Sequence, residues 1–556
     1  QLNSGDFELW DKFAVLDASF DGNNHSISGL YINLADRYNS KFGLFKSISE
    51  NAIVSNLTIK DAYLGCEEYK NMSSRYAGGL SAESEGTIYN CHFDGRIHSK
   101  LTDSGCYLGG LCGYTYGARI SNCSVKGEIY GDTYGVGFVG YNSQDSLILD
   151  HCTNYANLSA HGYTAGFVGY SEKYVKLNSC VNHGDIKSSG NYTAGLVASC
   201  RNGGKLDSCY NHGSIEAEGN YAAGILAYSD YKADFTSCAN FGDIAANCGY
   251  AAGIVCRGGS TLSNCYNEGN ISNINEYEYT YTSGIGNSVH RLNQCYNNAD
   301  IQGVNNVSGL CSTTSYMEEC YNKGNVTASG DHVAGLAIGI QEEEGVSYCY
   351  NIGAVTGKTL VSGIANYVSG LTLGCFNRGD ITATDSLAAG ICINNISYRE
   401  IIACYNTGTI KAKKKIYGIA NRCEVQHCYN AGFLIADSDI EPIVQKGGSI
   451  THSYYNKDIC GDFGDEYGLS ANEITDIKFI MRIFGSMAKP YKKVWCMNED
   501  YGTKLYYPHI RHFSGSIEAP YMKEIEFDEN GFCAEYPEKN QHAPIVDGVA
   551  QISNAG

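Results

Sequence analysis

Apolar and polar positions alternate with a period of two along most of this chain. In one representative stretch, Cys209 and Ile215 are apolar, whereas Tyr210, His212 and Glu216 are suited to a surface. Alternation over short runs that are broken by glycine indicates short β-strands with one buried face. The repeating part lacks the 3.6-residue spacing of an amphipathic helix. The pattern therefore predicts an all-β fold.

The same stretch recurs with a period of about 28 residues, which is typical of solenoids and other repeat folds. A propeller blade needs about 40 residues, so the unit predicts one coil of a parallel β-helix, with three short strands. One cysteine marks each copy, and these residues are named the cysteine column. The cysteine column comprises Cys91, Cys123, Cys152, Cys180, Cys209, Cys238, Cys265, Cys295, Cys320, Cys349, Cys375, Cys404 and Cys428.

Equivalent residues of stacked coils lie about 4.8 Å apart, so repeated residues predict columns of touching side chains. An asparagine column is expected to hydrogen-bond from coil to coil through its amides. A glycine usually follows two residues later, as Gly213 follows Asn211, and this pair predicts a corner with positive φ. The asparagine column comprises Asn154, Asn182, Asn211, Asn240, Asn267, Asn297, Asn322, Asn351, Asn377, Asn406 and Asn430.

Composition narrows the choice of partners. The net charge is −20 and the sequence pI is about 5.1, without a long basic run, which argues against nucleic acid as a partner. No run of 18 apolar residues occurs, so membrane insertion is not expected. The 25 cysteines largely follow the repeat at apolar positions. We therefore expect buried free thiols rather than a disulfide framework, as suits a reducing or anoxic setting.

Residues near the N-terminus carry a recognisable pattern. Phe20-Asp-Gly-Asn-x-His-x-Ile-x-Gly-Leu30 is followed by Gly43-Leu-Phe45 and by repeated Ala-Gly-Leu steps such as the one ending at Leu196. Over about residues 15–512 this pattern resembles GLUG-repeat proteins. These are bacterial surface and secreted proteins that include adhesin-like proteins and the non-catalytic repeat region of immunoglobulin A metallopeptidases. The resemblance implies a right-handed parallel β-helix, an extracellular location and no catalytic residues. The many cysteines depart from that pattern and favour an anaerobic bacterium.

The repeat divides the chain into regions. Residues 1–60 are expected to form the N-terminal coils, and residues 61–456 the repeat β-helix. Residues 457–512 lose the repeat and are predicted to form a cap with a helix near 471–485, where a capping-box pattern precedes apolar residues at helical spacing. Residues 513–556 are predicted to be a hairpin and a linker that lead to a further domain. We expect the chain to belong to a longer or tandem surface protein.

A search for chemistry gives few candidates. The chain has no His-Glu-x-x-His and no Cys-x-x-Cys, so we predict no catalytic residues, no metal site and no cofactor. Asp185, Asp243 and Asp380 recur at a tolerant surface position rather than as a catalytic pair.

Tyrosines that follow the column cysteines form a predicted aromatic stripe, and an acidic insertion adds others. Such a stripe either stacks on sugars or buries against a partner, or it is a packing column without a ligand. The candidate binding residues are Tyr210, Tyr266, Tyr296, Tyr321, Tyr350, Tyr277, Tyr279 and Tyr281.

These features favour a non-enzymatic, extracellular, adhesin-like β-helix that serves as a rigid stalk or binding surface. Its expected partners are a glycan or a protein of a host or cell surface, or further copies of the same chain. Two alternatives remain open. One is a carbohydrate-active β-helix, a polysaccharide lyase or glycosidase, with a groove near the insertions at 63–76 or 275–281. The other is a filament-forming subunit.

Overall fold

The computed structural model describes residues 8–10, 14–35, 39–70, 75–101, 106–395, 400–476, 478–484, 494–496, 507–513, 516–517, 545–546 and 549–550. It is 57% strand and 4% helix, which confirms the all-β prediction. Contacts divide the chain into two compact units, Gln1–Ser470 and Ala471–Gly556. The first unit contains a parallel β-solenoid of about 14 turns with about 29 residues per turn, as the repeat predicted.

A representative coil contains five short strands rather than the three that were predicted. They span Gly204–Asp207, Tyr210–Asn211, Ile215–Ala217, Tyr221–Ala223 and Leu226–Ser229. Each strand pairs in parallel with its equivalents one coil before and one coil after, without a register shift. The strands are short because a turn or bend interrupts the chain every few residues.

Two sheets run along the solenoid, and the fourth strand of the representative coil belongs to the smaller one. The 15 strands of this smaller sheet are Lys41–Phe42, Arg75–Gly78, Cys106–Gly109, Tyr134–Val136, Tyr163–Ala165, Tyr192–Ala194, Tyr221–Ala223, Tyr250–Ala252, Tyr281–Ser283, Val307–Ser308, Val333–Ala334, Val361–Ser362, Leu387–Ala389, Lys415–Tyr417 and Asp439–Glu441.

The larger sheet contains 53 strands, and it includes the strands that carry the asparagine column and those that flank the column cysteines. Its strands are Glu8–Leu9, Ala14–Leu16, Phe20–Ser28, Leu30–Asn33, Phe45–Ile48, Ile53–Lys70, Ser81–Ser84, Thr87–Leu101, Cys112–Thr115, Arg119–Ser121, Ser124–Gly131, Val139–Asn142, Leu147–Asp150, Thr153–Asn154, Asn157–Ala160, Val168–Ser171, Val175–Asn178, Val181–Asn182, Ile186–Ser188, Val197–Cys200, Gly204–Asp207, Tyr210–Asn211, Ile215–Ala217, Leu226–Ser229, Ala233–Thr236, Ala239–Asn240, Ile244–Ala246, Val255–Ser263, Tyr266–Asn267, Ile271–Asn273, Gly286–Asn293, Tyr296–Asn297, Ile301–Gly303, Cys311–Glu318, Tyr321–Asn322, Val326–Ala328, Ala337–Ser347, Tyr350–Asn351, Val355–Gly357, Ala365–Val368, Thr372–Leu373, Phe376–Asn377, Ile381–Ala383, Cys392–Asn395, Glu400–Ile402, Tyr405–Asn406, Ile410–Ala412, Glu424–Gln426, Tyr429–Asn430, Leu434–Ala436, Ser449–Thr451, Tyr454–Asn456 and Gly468–Leu469.

The sharp corner of each coil lies at the residue before the column cysteine. These residues have φ between 50° and 61°, for example 52° at Ser208, and the only glycine among them is Gly374. The prediction that Asn211 and Gly213 form a corner with positive φ is wrong, because neither residue adopts it. A Cβ on Gly213 would instead collide with the carbonyl oxygen of Gly184 in the preceding coil. Glycine is therefore needed at this position for space between coils rather than for backbone freedom.

The asparagine column is a continuous hydrogen-bonded row. All of its 11 members are fully buried, and each Nδ2 donates to the Oδ1 of the next member at 2.7–2.9 Å. Beyond the last member, Asn430 Nδ2 lies 3.3 Å from Cys460 Sγ. This arrangement satisfies the side-chain donors without water, as buried amides require.

The cysteine column lies inside the hydrophobic core beside aliphatic neighbours. The structure describes the side chains of 23 cysteines, and all 23 are buried free thiols. Many of the thiols donate to the carbonyl oxygen two residues earlier, as Cys209 Sγ does to Asp207 at 3.2 Å. The column ends at Ser453, whose Oγ accepts from the backbone N–H of Cys428 at 3.0 Å. Cysteine therefore acts here as a small apolar residue with a weak donor.

Helices occur only near the C-terminal end of the described chain. A short helix at Lys457–Cys460 begins at Asn456, whose side chain accepts from the N–H of Asp458 at 3.0 Å. The second unit contains helices at Ala471–Thr475 and Lys478–Phe484, where the sequence predicted one.

The other described elements of the second unit are short. A 3₁₀ turn spans Arg511–Phe513, and antiparallel pairs join Trp495–Cys496 to His509–Ile510 and Ile545–Val546 to Val549–Ala550. The hairpin that was predicted around residues 528–531 lies outside the described residues.

Candidate binding surface

Tyrosines that follow the column cysteines stack on one another from coil to coil. We name the continuous run the tyrosine column. Its ring centroids are 4.8–5.0 Å apart and its ring planes are nearly parallel, within 2–6°. Parallel strand pairing places the rings directly above each other. The members are Tyr266, Tyr296, Tyr321, Tyr350, Phe376, Tyr405 and Tyr429.

Exposure changes along the tyrosine column. Tyr266, Tyr296 and Tyr321 are partly buried, whereas Tyr350 is 5% exposed and Tyr405 is fully buried. Burial and the neighbouring ring of Tyr321 raise the pKa of Tyr296 to about 12. Each inner ring has both faces covered by its neighbours, so it presents only its edge to a surface. A sugar cannot stack on these inner faces without separating the coils. Binding at other parts of the tyrosine column stays a prediction.

Tyr210 does not belong to the continuous run. Its equivalent in the next coil is Ala239, which leaves the column without a ring between Tyr210 and Tyr266. Phe241 occupies this region, with its centroid 6.4 Å from Tyr210 and 5.7 Å from Tyr266. The interruption is therefore filled by a side chain of the same protein.

A second stack continues from Phe241 toward the N-terminus. His212 stacks on Phe241 with centroids 4.5 Å apart, His183 stacks on His212 at 5.0 Å, and Tyr155 stacks on His183 at 5.2 Å. Burial, together with the nearby His183, lowers the pKa of His212. The stack therefore favours a neutral imidazole at His212.

Tyr281 belongs to a different feature, which we name the small-sheet tyrosine row. It comprises eight of the tyrosines of the smaller sheet, in the strands from Arg75–Gly78 to Tyr281–Ser283, whose neighbouring centroids are 5.0–5.6 Å apart. Three of these rings pack on a second, small core that contains Ala194, Ala223, Ala252 and Cys256. The sequence signal for this feature is the tyrosine that precedes many of the small-residue–Gly steps. The members are Tyr76, Tyr107, Tyr134, Tyr163, Tyr192, Tyr221, Tyr250 and Tyr281.

Tyr277 and Tyr279 lie on the loop that joins Ile271–Asn273 to Tyr281–Ser283. Tyr277 is 78% exposed and Tyr279 is 72% exposed, so their ring faces are accessible, unlike those within the tyrosine column. The eight candidate tyrosines are therefore distributed over the tyrosine column and its interruption, the small-sheet tyrosine row and this loop.

Asp243 and Asp380, which precede Ile244 and Ile381, act as caps on the backbone. Asp243 Oδ1 accepts from the N–H of Asn270 at 2.8 Å, and Asp380 Oδ1 accepts from the N–H of Thr409 at 2.9 Å. Each bond joins one coil to the next. A structural role therefore explains why aspartate or asparagine recurs there.

An open groove of about 430 Å³ lies beside Ile129, Leu158 and Ile186. Its lining includes Glu128, Asp185, Lys187 and Glu216. Lys187 Nζ lies 2.6 Å from Glu216 Oε2 in an exposed ion pair, and Asp185 Oδ1 accepts from the Ser214 N–H at 2.9 Å. These partners engage most of the charged lining within the protein.

The insertion at residues 63–76 is only partly described. Ile53–Lys70 is a single long strand, and the next strand begins at Arg75. Tyr63 stacks on Tyr31 with centroids 5.8 Å apart. Within the described residues, three or more histidine, cysteine, aspartate or glutamate side chains do not gather anywhere in a way that could hold a metal ion. Of the described helices, none has the length and apolar character required to cross a membrane.

The family model of the GLUG motif matches residues 104–130 of the chain. This segment includes the strands Cys106–Gly109, Cys112–Thr115 and Ser124–Gly131. No curated protein matches the chain. No solved structure matches it either. The chain therefore carries a GLUG motif on its parallel β-helix, in agreement with the resemblance that the sequence showed.

Proposed function

We propose that this chain is a non-enzymatic scaffold at the surface of a bacterial cell, where its β-helix acts as a rigid, adhesin-like stalk. The observation that carries the proposal is the unbroken asparagine column, in which 10 hydrogen bonds between side-chain amides join 11 successive coils. Continuous internal columns resist bending and stretching, which is the property that a stalk requires.

The remaining columns support the same proposal. The aspartates cap backbone groups, the inner tyrosine faces are covered, and the cysteines are buried as free thiols. The thiols favour a reducing setting, so the proposed source is an anaerobic bacterium. The GLUG motif supports the extracellular location, since the resemblance implies surface and secreted proteins.

Immunogold electron microscopy of intact source cells tests the location and the extended form. An antibody against the described coils is expected to label unpermeabilised cells at a distance from the envelope. Labelling only after permeabilisation would overturn the surface location. Continuous fibres formed from many copies would favour the filament-forming alternative over single stalks.

An activity screen separates the scaffold from a carbohydrate-active enzyme. The purified chain is incubated with a panel of acidic and neutral polysaccharides, and new reducing ends and unsaturated products are measured. We expect no turnover. Product release that is lost on Asp185→Asn and Glu216→Gln, but kept on Asp234→Asn, would place a catalytic site in the groove and contradict the proposal.

A further inference from the structure

Residues 274–280 form a loop on which several large side chains are highly exposed, and we name it the acidic-aromatic loop. The exposed fractions are 66% for Ile274, 78% for Tyr277 and 72% for Tyr279. The equivalent turn of the preceding coil has only three residues, between Ala246 and Tyr250, whereas this loop has seven. Exposed apolar side chains grouped on an insertion mark an interaction site more often than isolated ones do.

The base of the acidic-aromatic loop is fixed to neighbouring coils. The N–H of Ile274 donates to Ala246 O at 3.0 Å, and Asn306 Nδ2 donates to Thr280 O at 3.0 Å. Within the loop, the N–H of Tyr277 donates to Asn275 Oδ1 at 3.0 Å. These bonds order the backbone before any partner arrives, which lowers the entropy that binding costs.

Two carboxylates alternate with the exposed rings. Glu276 and Glu278 are exposed, and neither forms an ion pair with any residue in the described part of the chain. Two negative charges beside Tyr277 and Tyr279 would be brought close to the surface of any bound partner. Such a partner is favoured if its rim is cationic, because opposite charges steer the encounter and fix its orientation.

We propose that the acidic-aromatic loop is the docking element of this scaffold, and that it inserts into an apolar cleft rimmed by lysine or arginine on a protein partner. The aliphatic side chain of Ile274 and the two carboxylates favour a protein cleft over a glycan. Tyrosine is enriched among the residues that dominate protein–protein binding energy. The inference rests on the proposed scaffold function and names the partner class for it.

Peptide selection on the full chain tests the docking element with a defined probe. A phage-displayed library of random peptides is selected on the immobilised protein, and the winning peptides are synthesised and titrated. We expect peptides that combine aromatic or aliphatic residues with lysine and arginine. Their affinity should fall at least about ten-fold for the double variant Tyr277→Ala/Tyr279→Ala and for Glu276→Lys/Glu278→Lys.

Tyr231→Ala is the matched control, because Tyr231 is 64% exposed on another loop. The control should bind the peptides as the unaltered chain does, and all variants should keep the same melting temperature. Peptides that bind the double variant equally well, or a selection without basic and apolar enrichment, would overturn the proposal. Glycan-array binding that disappears in the same double variant would also overturn it, in favour of a sugar ligand. Surface labelling of cells is independent of these outcomes and tests the scaffold function separately.

Discussion

At the scale of single residues, each inner asparagine of the column hydrogen-bonds to the coil before its own, to the coil after it and to a carbonyl within its own coil. Asn240 Nδ2 donates at 2.8 Å to both Gly242 O and Asn267 Oδ1, and its own Oδ1 accepts from Asn211 Nδ2 at 2.8 Å. A buried polar group that loses its partner keeps its desolvation cost. Truncation of one asparagine therefore harms its neighbours as well as itself.

Asn240→Ala is expected to lower the free energy of unfolding by about 3 kcal/mol, because it removes the Asn240 Nδ2 donor from Gly242 O and Asn267 Oδ1 and one of the two acceptors of Asn211 Nδ2. Guanidinium unfolding followed by circular dichroism measures the change. Asn298→Ala is the control, since the exposed Asn298 donates to Glu268 at the surface, and it should change stability by less than about 0.5 kcal/mol. Equal losses in the two variants would show that the column adds nothing beyond a surface bond.

The histidine stack predicts a loss of stability in mild acid. The pKa of His212 in the folded chain is lowered by burial and by His183, so the unfolded chain binds the proton more tightly. The stabilising contribution is present above the usual pKa of about 6.5 and is lost as the pH falls through the lower folded value. Melting temperatures measured from neutral to mildly acid pH should fall less for His212→Phe than for the unaltered chain. Tyr155→Phe, which keeps the stack and both of its imidazoles, should keep the original slope, and identical slopes in all three proteins would contradict the prediction.

At the scale of the element, two positions of each coil impose different requirements on the residue that they hold. The residue before the column cysteine takes a positive φ, which residues other than glycine rarely adopt. Ser208 is one example. Gly213 has an ordinary φ, yet it is the position that cannot hold a Cβ, because the Gly184 carbonyl lies against it. The two requirements, backbone conformation and space, are therefore divided between two positions of the coil.

Gly213→Ala is expected to destabilise the chain by about 2–3 kcal/mol, because the added Cβ would meet the Gly184 carbonyl, which accepts a hydrogen bond from Asn182 Nδ2 at 2.9 Å. Gly249→Ala is the control at a turn, where the nearest atom to the added Cβ is Asn220 O at an ordinary 3.5 Å. The control should change stability by less than about 1 kcal/mol in either direction. Thermal unfolding of both variants checks the difference, and an unaffected Gly213→Ala would show that adjacent coils separate easily.

At the scale of the whole molecule, the cysteines distinguish a packed core from a disulfide framework. The chain has 25 cysteines, and the 23 described as thiols are all buried and free. Burial raises the pKa of Cys91 to about 11 and that of Cys392 to about 12. A thiol that is both covered and protonated at neutral pH is a poor nucleophile.

Maleimide labelling followed by intact mass spectrometry tests this arrangement in a reduced preparation. The 23 buried cysteines should remain unlabelled at neutral pH in the folded chain and become labelled in guanidinium. Labelling rates should follow unfolding rather than local exposure, because the thiols lie inside the coils. Rapid labelling of many thiols in the folded protein, or masses that reveal several disulfides, would contradict the buried free state.

The repeat, the all-β class and the membership of the cysteine and asparagine columns follow from the amino-acid sequence alone. A period that equals one coil brings equivalent residues together whatever the detailed path of the chain, so the columns follow directly from the spacing. Asn240 and Cys209 therefore lie where the pattern predicted, buried above and below their equivalents. The two-residue alternation likewise specified which side chains face inward.

The bends of each coil and the exposure of its aromatic rings depend on contacts between coils, which the spacing does not specify. The positive φ at Ser208, the collision at Gly213 and the separate column of Tyr281 depend on atoms of adjacent coils, which lie about 28 residues away along the chain. The burial of Tyr405 and the exposure of Tyr277 are likewise set by what surrounds each ring rather than by its local sequence. Spacing identifies the neighbours in a solenoid, but their contacts determine which groups are covered and which remain available to bind.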